Sequence, residues 1–303
     1  MRYATAGAFR TALEQRLSTL AQNAGVPLVR LRKLVVFDRL IARLLVAAPE
    51  RWILKGAVAL HFRIGPQFRT TGDMDLGRQD SEEAATADFL TAQAVDLGDY
   101  FTFAIERTGR LDPALEGAAV RYHATASLAG RIFEDITVDV GFGDPAVTDP
   151  EIIRGPDLLG FAEIPAVQVP ALPLEQHVAE KVHAYTRSYA GGNPSTRVKD
   201  LIDLAVISSQ FSFQAGRLRR ALEATFSSWA THLLPPALPP PPAQWRIPYR
   251  RIATEVGLDP DVTVGYEQAN IFLGPILAGA IPEHMQWNPM QHAWQEVGHD
   301  VQR

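Results

Sequence analysis

The stretch RTTGDMDLG, residues 69–77, sets two carboxylates two positions apart, with apolar residues at 74 and 76. Side chains on a strand alternate between its faces. A strand here puts Arg69, Thr71, Asp73 and Asp75 on one face and turns Met74 and Leu76 into a core. Two anions held this close raise the cost of ionising both. A divalent cation removes that cost, since Mg2+ prefers hard oxygen ligands and takes one or two carboxylates plus substrate phosphates. A two-metal centre needs carboxylates that bridge ions roughly 3.5–4 Å apart. A third candidate is Asp139 in DITVDVGFGD, between Val138 and Val140, with Thr137 and Gly141 on its face. Asp135, next to Glu134, reads as lying at the start of that strand. The bland alternative is three acids solvated independently at strand edges, which is what a lone D-x-D commonly means.

The surrounding pattern supplies the elements that would hold these groups. TALEQRLSTLAQNAG and LRKLVVFDRLIARLLVAA carry apolar residues at helical spacing, and Leu34, Phe37, Ile41 and Leu44 line one face of the second. WIL fits a short buried strand, and GAVALHF a helix entered through Gly56. SEEAATADFLTAQAVDL predicts a helix capped by Ser81, with acids in its first turn. YFTFAIER alternates like a strand, and AAVRYHATASLAGRIFEDITVDVGFG predicts strands turning at Ala129 and Gly130. Beyond a connector carrying Pro165, Pro170 and Pro173 the pattern becomes helical: LEQHVAEKVHAYTRSYA, a helix opening after Ser195, and FQAGRLRRALEATFSSWATHLL. PPALPPPP, with six prolines in eight positions, reads as a stiff extended spacer. The remainder, with Trp245, Trp287 and Trp294, reads as a partly helical tail packing back on the body. The expected organisation is N-terminal helices over 1–50, an α/β core over 51–165, a helical region over 166–234, and a spacer and tail over 235–303.

Composition bounds the chemistry. The 303 residues are 47% hydrophobic and 21% charged, with a net charge of −5, which is ordinary for a globular chain and does not advertise a nucleic-acid binder. The absence of cysteine excludes disulfides, thiolate metal sites and cysteine nucleophiles. IFLGPILAGAIP is too short to span a bilayer and is broken by proline, and the N-terminus shows no signal-peptide core, so a cytoplasmic protein without membrane contact is expected. His61, His123, His177 and His183 show no HExxH-like pairing, GHD near the C-terminus is isolated, and the basic run RLRR at 217–220 reads as a solvated face.

In order, LKGAVAL, RTTGDMDL and ITVDV resemble the DNA polymerase β-type nucleotidyltransferase superfamily. With EKVHAYTR and RVKDLIDL following, the chain resembles the AbiEii/AbiGii-type toxins, MenT enzymes included. Ala57 stands where that family usually has a second glycine. The resemblance implies an α+β fold: a nucleotidyltransferase-type mixed sheet with flanking helices and a helical C-terminal region. It also implies that Asp73, Asp75 and Asp139 hold Mg2+, with Mn2+ as an alternative, and that they form the catalytic set with Lys181. Lys55, Gly56, Ala57, Arg69, Thr71, Lys181, Lys199, Asp200 and Asp203 would bind the nucleotide, with Asp203 orienting Lys181 or a base. The bland reading of Arg197, Asp200 and Asp203, spaced i, i+3, i+6, is an ion-pair-laced helix face. The implied reaction moves NMP from NTP to an acceptor hydroxyl. A tRNA 3′ end is the acceptor the family suggests, and a separately encoded antitoxin the partner. The alternatives are a non-catalytic nucleotide-binding or interaction protein on the same scaffold, or transfer to a protein or small-molecule acceptor.

Overall fold

Thr5 starts the first helix by accepting the Ala8 N–H on its hydroxyl, and Gly25, at φ 65°, closes it, giving α1 (Ala6–Ala24). In the computed structural model, residues 2–110, 119–142, 149–187 and 197–296 are described. The helix start expected after Ser195 and the GHD at 298–300 fall outside them. The chain divides into two compact units, Met1–Leu172 and Pro173–Arg303. No helix among the described residues is long and apolar enough to cross a membrane.

The first unit is a mixed sheet with helices packed on it. After α1 come α2 (Leu28–Ala47), β1 (Ile53–Lys55), α3 (Gly56–Ile64), β2 (Asp73–Arg78), α4 (Glu82–Ala94), β3 (Phe101–Arg110), β4 (Ala119–Leu128), β5 (Arg131–Phe142), β6 (Glu151–Arg154) and β7 (Gln168–Ala171). The seven strands run in the order β3-β4-β5-β2-β1-β7-β6. β2 lies parallel to β5, and β1 to β7; the other neighbours are antiparallel. Ser81 caps α4 through the Ala84 N–H, with Glu82 and Glu83 in its first turn, as the sequence predicts. β4 and β5 turn at Ala129 (φ 53°) and Gly130 (φ 70°), the pair of positive φ angles that a two-residue hairpin with right-handed twist demands.

One face of this sheet is apolar. Met74, Leu76, Tyr122, Val138 and Val140 pack with Leu34, Phe37, Ile41 and Leu44 of α2 and Phe9, Leu13 and Leu17 of α1 in a single core. Each fully buried side chain of this size contributes about 1.5–3 kcal/mol. The N-terminal helices therefore share their core with the strands. Removing that apolar set to the helix side leaves the alternate residues, which include the acids, on the other face.

The second unit holds α5 (Leu174–Thr186), α6 (Val198–Gln210), α7 (Ala215–Trp229), α8 (Arg246–Glu255) and α9 (Val262–Leu277), with a small sheet of β8 (Phe213–Gln214), β9 (Gln286–Asn288) and β10 (Ala293–Gln295). The tail packs back on α6: the Trp287 indole N–H donates to the Ser208 carbonyl at 2.6 Å, and the Gln268 amide donates to the Ala205 carbonyl at 2.9 Å. The proline run differs from the expected free spacer. Leu238 is buried, and the hydroxyls of Tyr266 and Tyr185 donate to the carbonyls of Leu238 and Pro239. Proline removes the N–H donor but leaves the carbonyl, so acceptor-only anchoring suits this segment.

Candidate functional site

β2 enters the sheet between β1 and β5, and its register decides what meets what. Asp73 lies opposite Thr137 and Asp75 opposite Asp139 across the parallel ladder. On the far side Lys55 lies opposite Asp75, and beyond β5 Arg121 lies opposite Asp139. Four charged residues, Lys55, Asp75, Asp139 and Arg121, thus form one row across adjacent strands, cation, anion, anion, cation. Neighbouring strands sit about 4.8 Å apart, so the two carboxylates stand side by side on the sheet. Asp73 lies two residues before Asp75 on the same face. Asp73 is exposed, Asp75 half-buried, and Asp139 buried at 9% exposure.

The start of α3 is shaped around Asp75. Gly56 has φ 60°, and a Cβ built on it would stand 1.7 Å from Asp75 Oδ2. The carboxylate occupies the space that any side chain at 56 would need. Ala57, the departure from the family's glycine pair, is buried in α3 and does not take a positive φ, so alanine costs nothing in backbone conformation there. Lys55 is buried, with its Cδ 3.1 Å from the position a Cβ on Gly77 would take, so its stem lies over that glycine.

The segment before β2 departs from the expected strand. β2 begins at Asp73, so Arg69 and Thr71 do not share its face by alternation. Residues 69–72 are held from outside. Arg30 donates to the carbonyls of Pro66 and Phe68 and, through Nε, to the Thr70 hydroxyl. His61 Nε2 meets the Arg69 carbonyl at 2.7 Å; a carbonyl only accepts, so this nitrogen carries the proton. Burial pushes the His61 imidazole down to about 4, and the Arg30 and Arg69 charges push the same way against the hydrogen bond to Arg69. Arg69 is itself buried, its guanidinium 5.4 Å from the Phe68 ring centroid. The Thr71 hydroxyl donates to the Asp73 carbonyl at 3.2 Å and fixes the entry into the strand.

Asp139 carries a feature the sequence reading missed. Arg121 grips it with both arms of the guanidinium, Nε to Oδ1 at 2.8 Å and Nη2 to Oδ2 at 2.7 Å. The signal was hidden by a bulge. The two-residue turn pairs Leu128 with Arg131 and Ser127 with Ile132, but Ala126 pairs with Glu134, leaving Phe133 extra. Counted from the turn alone, Arg121 would face Val138; the extra residue brings it to Asp139. Asp135 also differs from expectation. It lies within β5 on the face of Asp139, where Thr125 donates to it at 2.6 Å.

Within the second unit, α5 and α6 bring Lys181, Asp200 and Asp203 together. Lys181 Nζ lies 2.6 Å from Asp203 Oδ2 and 3.2 Å from Asp200 Oδ1, and all three residues are buried. The second oxygen of Asp200 is buried with no hydrogen-bond partner among the described residues. Lys199 is exposed, and one position along a helix turns it about 100° from Asp200.

By donor type Asp73 and Asp75 fit a hard divalent cation. Asp139 has both oxygens committed to a guanidinium, and among the described residues no three carboxylate or imidazole groups converge as a metal cluster.

No curated protein matches the chain in sequence. Among solved structures it is similar to MenT4, a nucleotidyltransferase toxin from Mycobacterium tuberculosis H37Rv, at 16% identity over 88% of this chain and 99% of that one, with a TM-score of 0.52. It is also similar to JHP933 from Helicobacter pylori, at 13% identity over 82% of this chain and 93% of that one, with a TM-score of 0.45. The first likeness supports a nucleotidyltransferase fold. The model of the nucleotidyl transferase AbiEii toxin family, of type IV toxin–antitoxin systems, matches residues 39–271. With Gly56, the Asp73/Asp75 pair, Lys181 and Asp200 all inside that match, the chain belongs to the AbiEii nucleotidyltransferase toxin family.

Proposed function

We propose that this nucleotidyltransferase moves NMP from an NTP to the hydroxyl at the 3′ end of a tRNA, in a Mg2+-dependent reaction, and that a separately encoded antitoxin restrains it. The carrying observation is the row in which Asp75 and Asp139 oppose each other, with Asp75 seated on the side-chain-free Cα of Gly56. Asp73 and Asp75 would hold the cation, which supplies charge neutralisation for the triphosphate and the leaving pyrophosphate. The Gly56 end of α3 offers backbone N–H groups suited to phosphate oxygen. Arg30 and His61 hold residues 69–72, so that Asp73 and Asp75 enter the site at fixed positions. Lys55 is assigned to phosphate charge, and Arg69 and Thr71 to the edge of the nucleotide site; in the second unit Lys181, oriented by Asp203 and Asp200, is a separate candidate for phosphate charge. The acceptor oxygen attacks the α-phosphorus, the bond to the β-phosphate bridge breaks, and the hydroxyl proton leaves to a carboxylate or solvent. Positioning and charge neutralisation supply most of the acceleration in such transfers.

The test is incubation of the purified chain with each α-labelled NTP, Mg2+ and total RNA, beside Asp73→Asn and Asp75→Asn. Label in the tRNA fraction with the native chain alone is the expected result. Label retained by both variants, or absent with every NTP, refutes the assignment. Label on protein or on a small molecule moves the acceptor and keeps the chemistry.

A further inference from the structure

The Arg121–Asp139 contact bears on how many ions the centre takes. Asp139 is the third carboxylate of the row, and a two-ion centre needs its oxygens on the second ion. Both are instead bridged by Arg121 in the two-pronged geometry that makes guanidinium–carboxylate pairs strong and directional. A guanidinium does not lose its proton in a protein, so this positive charge is permanent. The pair is built into the sheet: Arg121 and Asp139 are cross-strand partners, placed so by the bulge at Phe133. The Asp139 side chain is 11% exposed and that of Arg121 40%, so the acid is shielded while the base reaches the rim of the site. Along the row Lys55, Asp75, Asp139 and Arg121 carry formal charges that cancel. The repulsion between adjacent carboxylates, which a second divalent ion would relieve, is met by the chain's own cations.

We infer that Arg121 takes the place of a second metal ion at Asp139, so that the centre holds a single divalent cation on Asp73 and Asp75. This rests on the metal-dependent reading proposed above. Arg121 is then a positioning residue for Asp139 and a fixed positive charge at the rim. Asp139 balances that charge and ligates no ion.

The experiment is Mn2+ binding to the full chain, followed by the loss of free-ion electron paramagnetic resonance signal on titration. The native chain should take up a single Mn2+. Asp75→Asn should weaken it by at least about tenfold, the loss usual even for residues one contact removed from a metal. Asp139→Asn should weaken it clearly less than Asp75→Asn does, because it removes a charge beside the ion and no ligating oxygen. Arg121→Gln should release the Asp139 carboxylate beside Asp75 and create a second Mn2+ site, an outcome that a purely structural salt bridge would not produce. If Asp139→Asn weakens Mn2+ as much as Asp75→Asn, the inference is overturned while the metal reading stands. If Arg121→Gln is folded by circular dichroism and keeps the native stoichiometry and affinity, the inference is likewise overturned. If neither aspartate variant changes Mn2+ binding, the metal reading itself falls and takes the inference with it.

Discussion

Gly56→Ala is the sharpest probe of how the site is built. Two separate costs meet at that residue. Its φ of 60° lies in the left-handed region, where an L side chain costs about 1–2 kcal/mol. Alanine also narrows the unfolded ensemble, which offsets about 0.4–1 kcal/mol of that loss. A glycine elsewhere isolates this backbone part: Gly25 has φ 65° and nothing within 4 Å of a built Cβ. At Gly56 the same Cβ stands 1.7 Å from Asp75 Oδ2, where contacts under 3.0 Å do not occur, so the carboxylate must move by more than 1 Å. Driving Asp75 off its rotamer adds about 0.5–1.5 kcal/mol. Gly25→Ala should therefore lose about 1 kcal/mol and Gly56→Ala about 1.5–2.5 kcal/mol. In calorimetry that is a fall in Tm of about 2–4 °C for the first and about 3–10 °C for the second. Nucleotide transfer should be untouched in Gly25→Ala and fall about a hundredfold in Gly56→Ala, since an ångström of misplacement carries that penalty. Equal melting of the two variants, with transfer intact in both, would refute the claim that Asp75 is seated on this glycine.

Two other perturbations follow from buried charge. Lys181→Met strands the Asp200 and Asp203 carboxylates without the ammonium between them, a loss of about 3–5 kcal/mol in urea unfolding. Tryptophan fluorescence reports it well, because four of the five tryptophans lie in that unit; adding Asp203→Asn should restore part of the loss, and a double variant weaker than the single contradicts the pairing. His61 sets an acid limit. The fold holds its imidazole neutral down to about 4 while the unfolded chain protonates near 6.5, so its contribution is complete above about pH 6.5 and drains away as pH falls toward 4. The full loss is about 3 kcal/mol, and His61→Gln should flatten the wild-type stability profile between those limits; parallel profiles would show that His61 is not the titrating group.

What was legible in the sequence is what local rules govern. The Ser81 cap, the turn at Ala129 and Gly130, and the alternation that separates Met74 and Leu76 from Asp73 and Asp75 each depend on a few neighbouring residues. Lys181 was one of two partners the sequence left open for Asp203, and the structure pairs them. What escaped reading depends on distant partners or on an inserted residue. Residues 69–72 alternate like a strand, yet Arg30 and His61 pull them into a loop from forty and eight positions away. Arg121 meets Asp139 only because Phe133 adds one residue to β5. The proline run looked unattached because its anchors are hydroxyls of Tyr185 and Tyr266, outside the run itself.

The alternation of β2 and β5 has one further effect. From Asp73 to Gly77 and from Asp135 to Gly141 apolar residues alternate with acids or small residues, so sliding either strand by a single step would drive carboxylates into the hydrophobic interior. The greasy half of each strand serves as the alignment jig for the working half. A molecule that has folded has, by that same event, lined up its acids, and a register fault cannot linger as a sluggish enzyme. It would show itself as protein lost to aggregation.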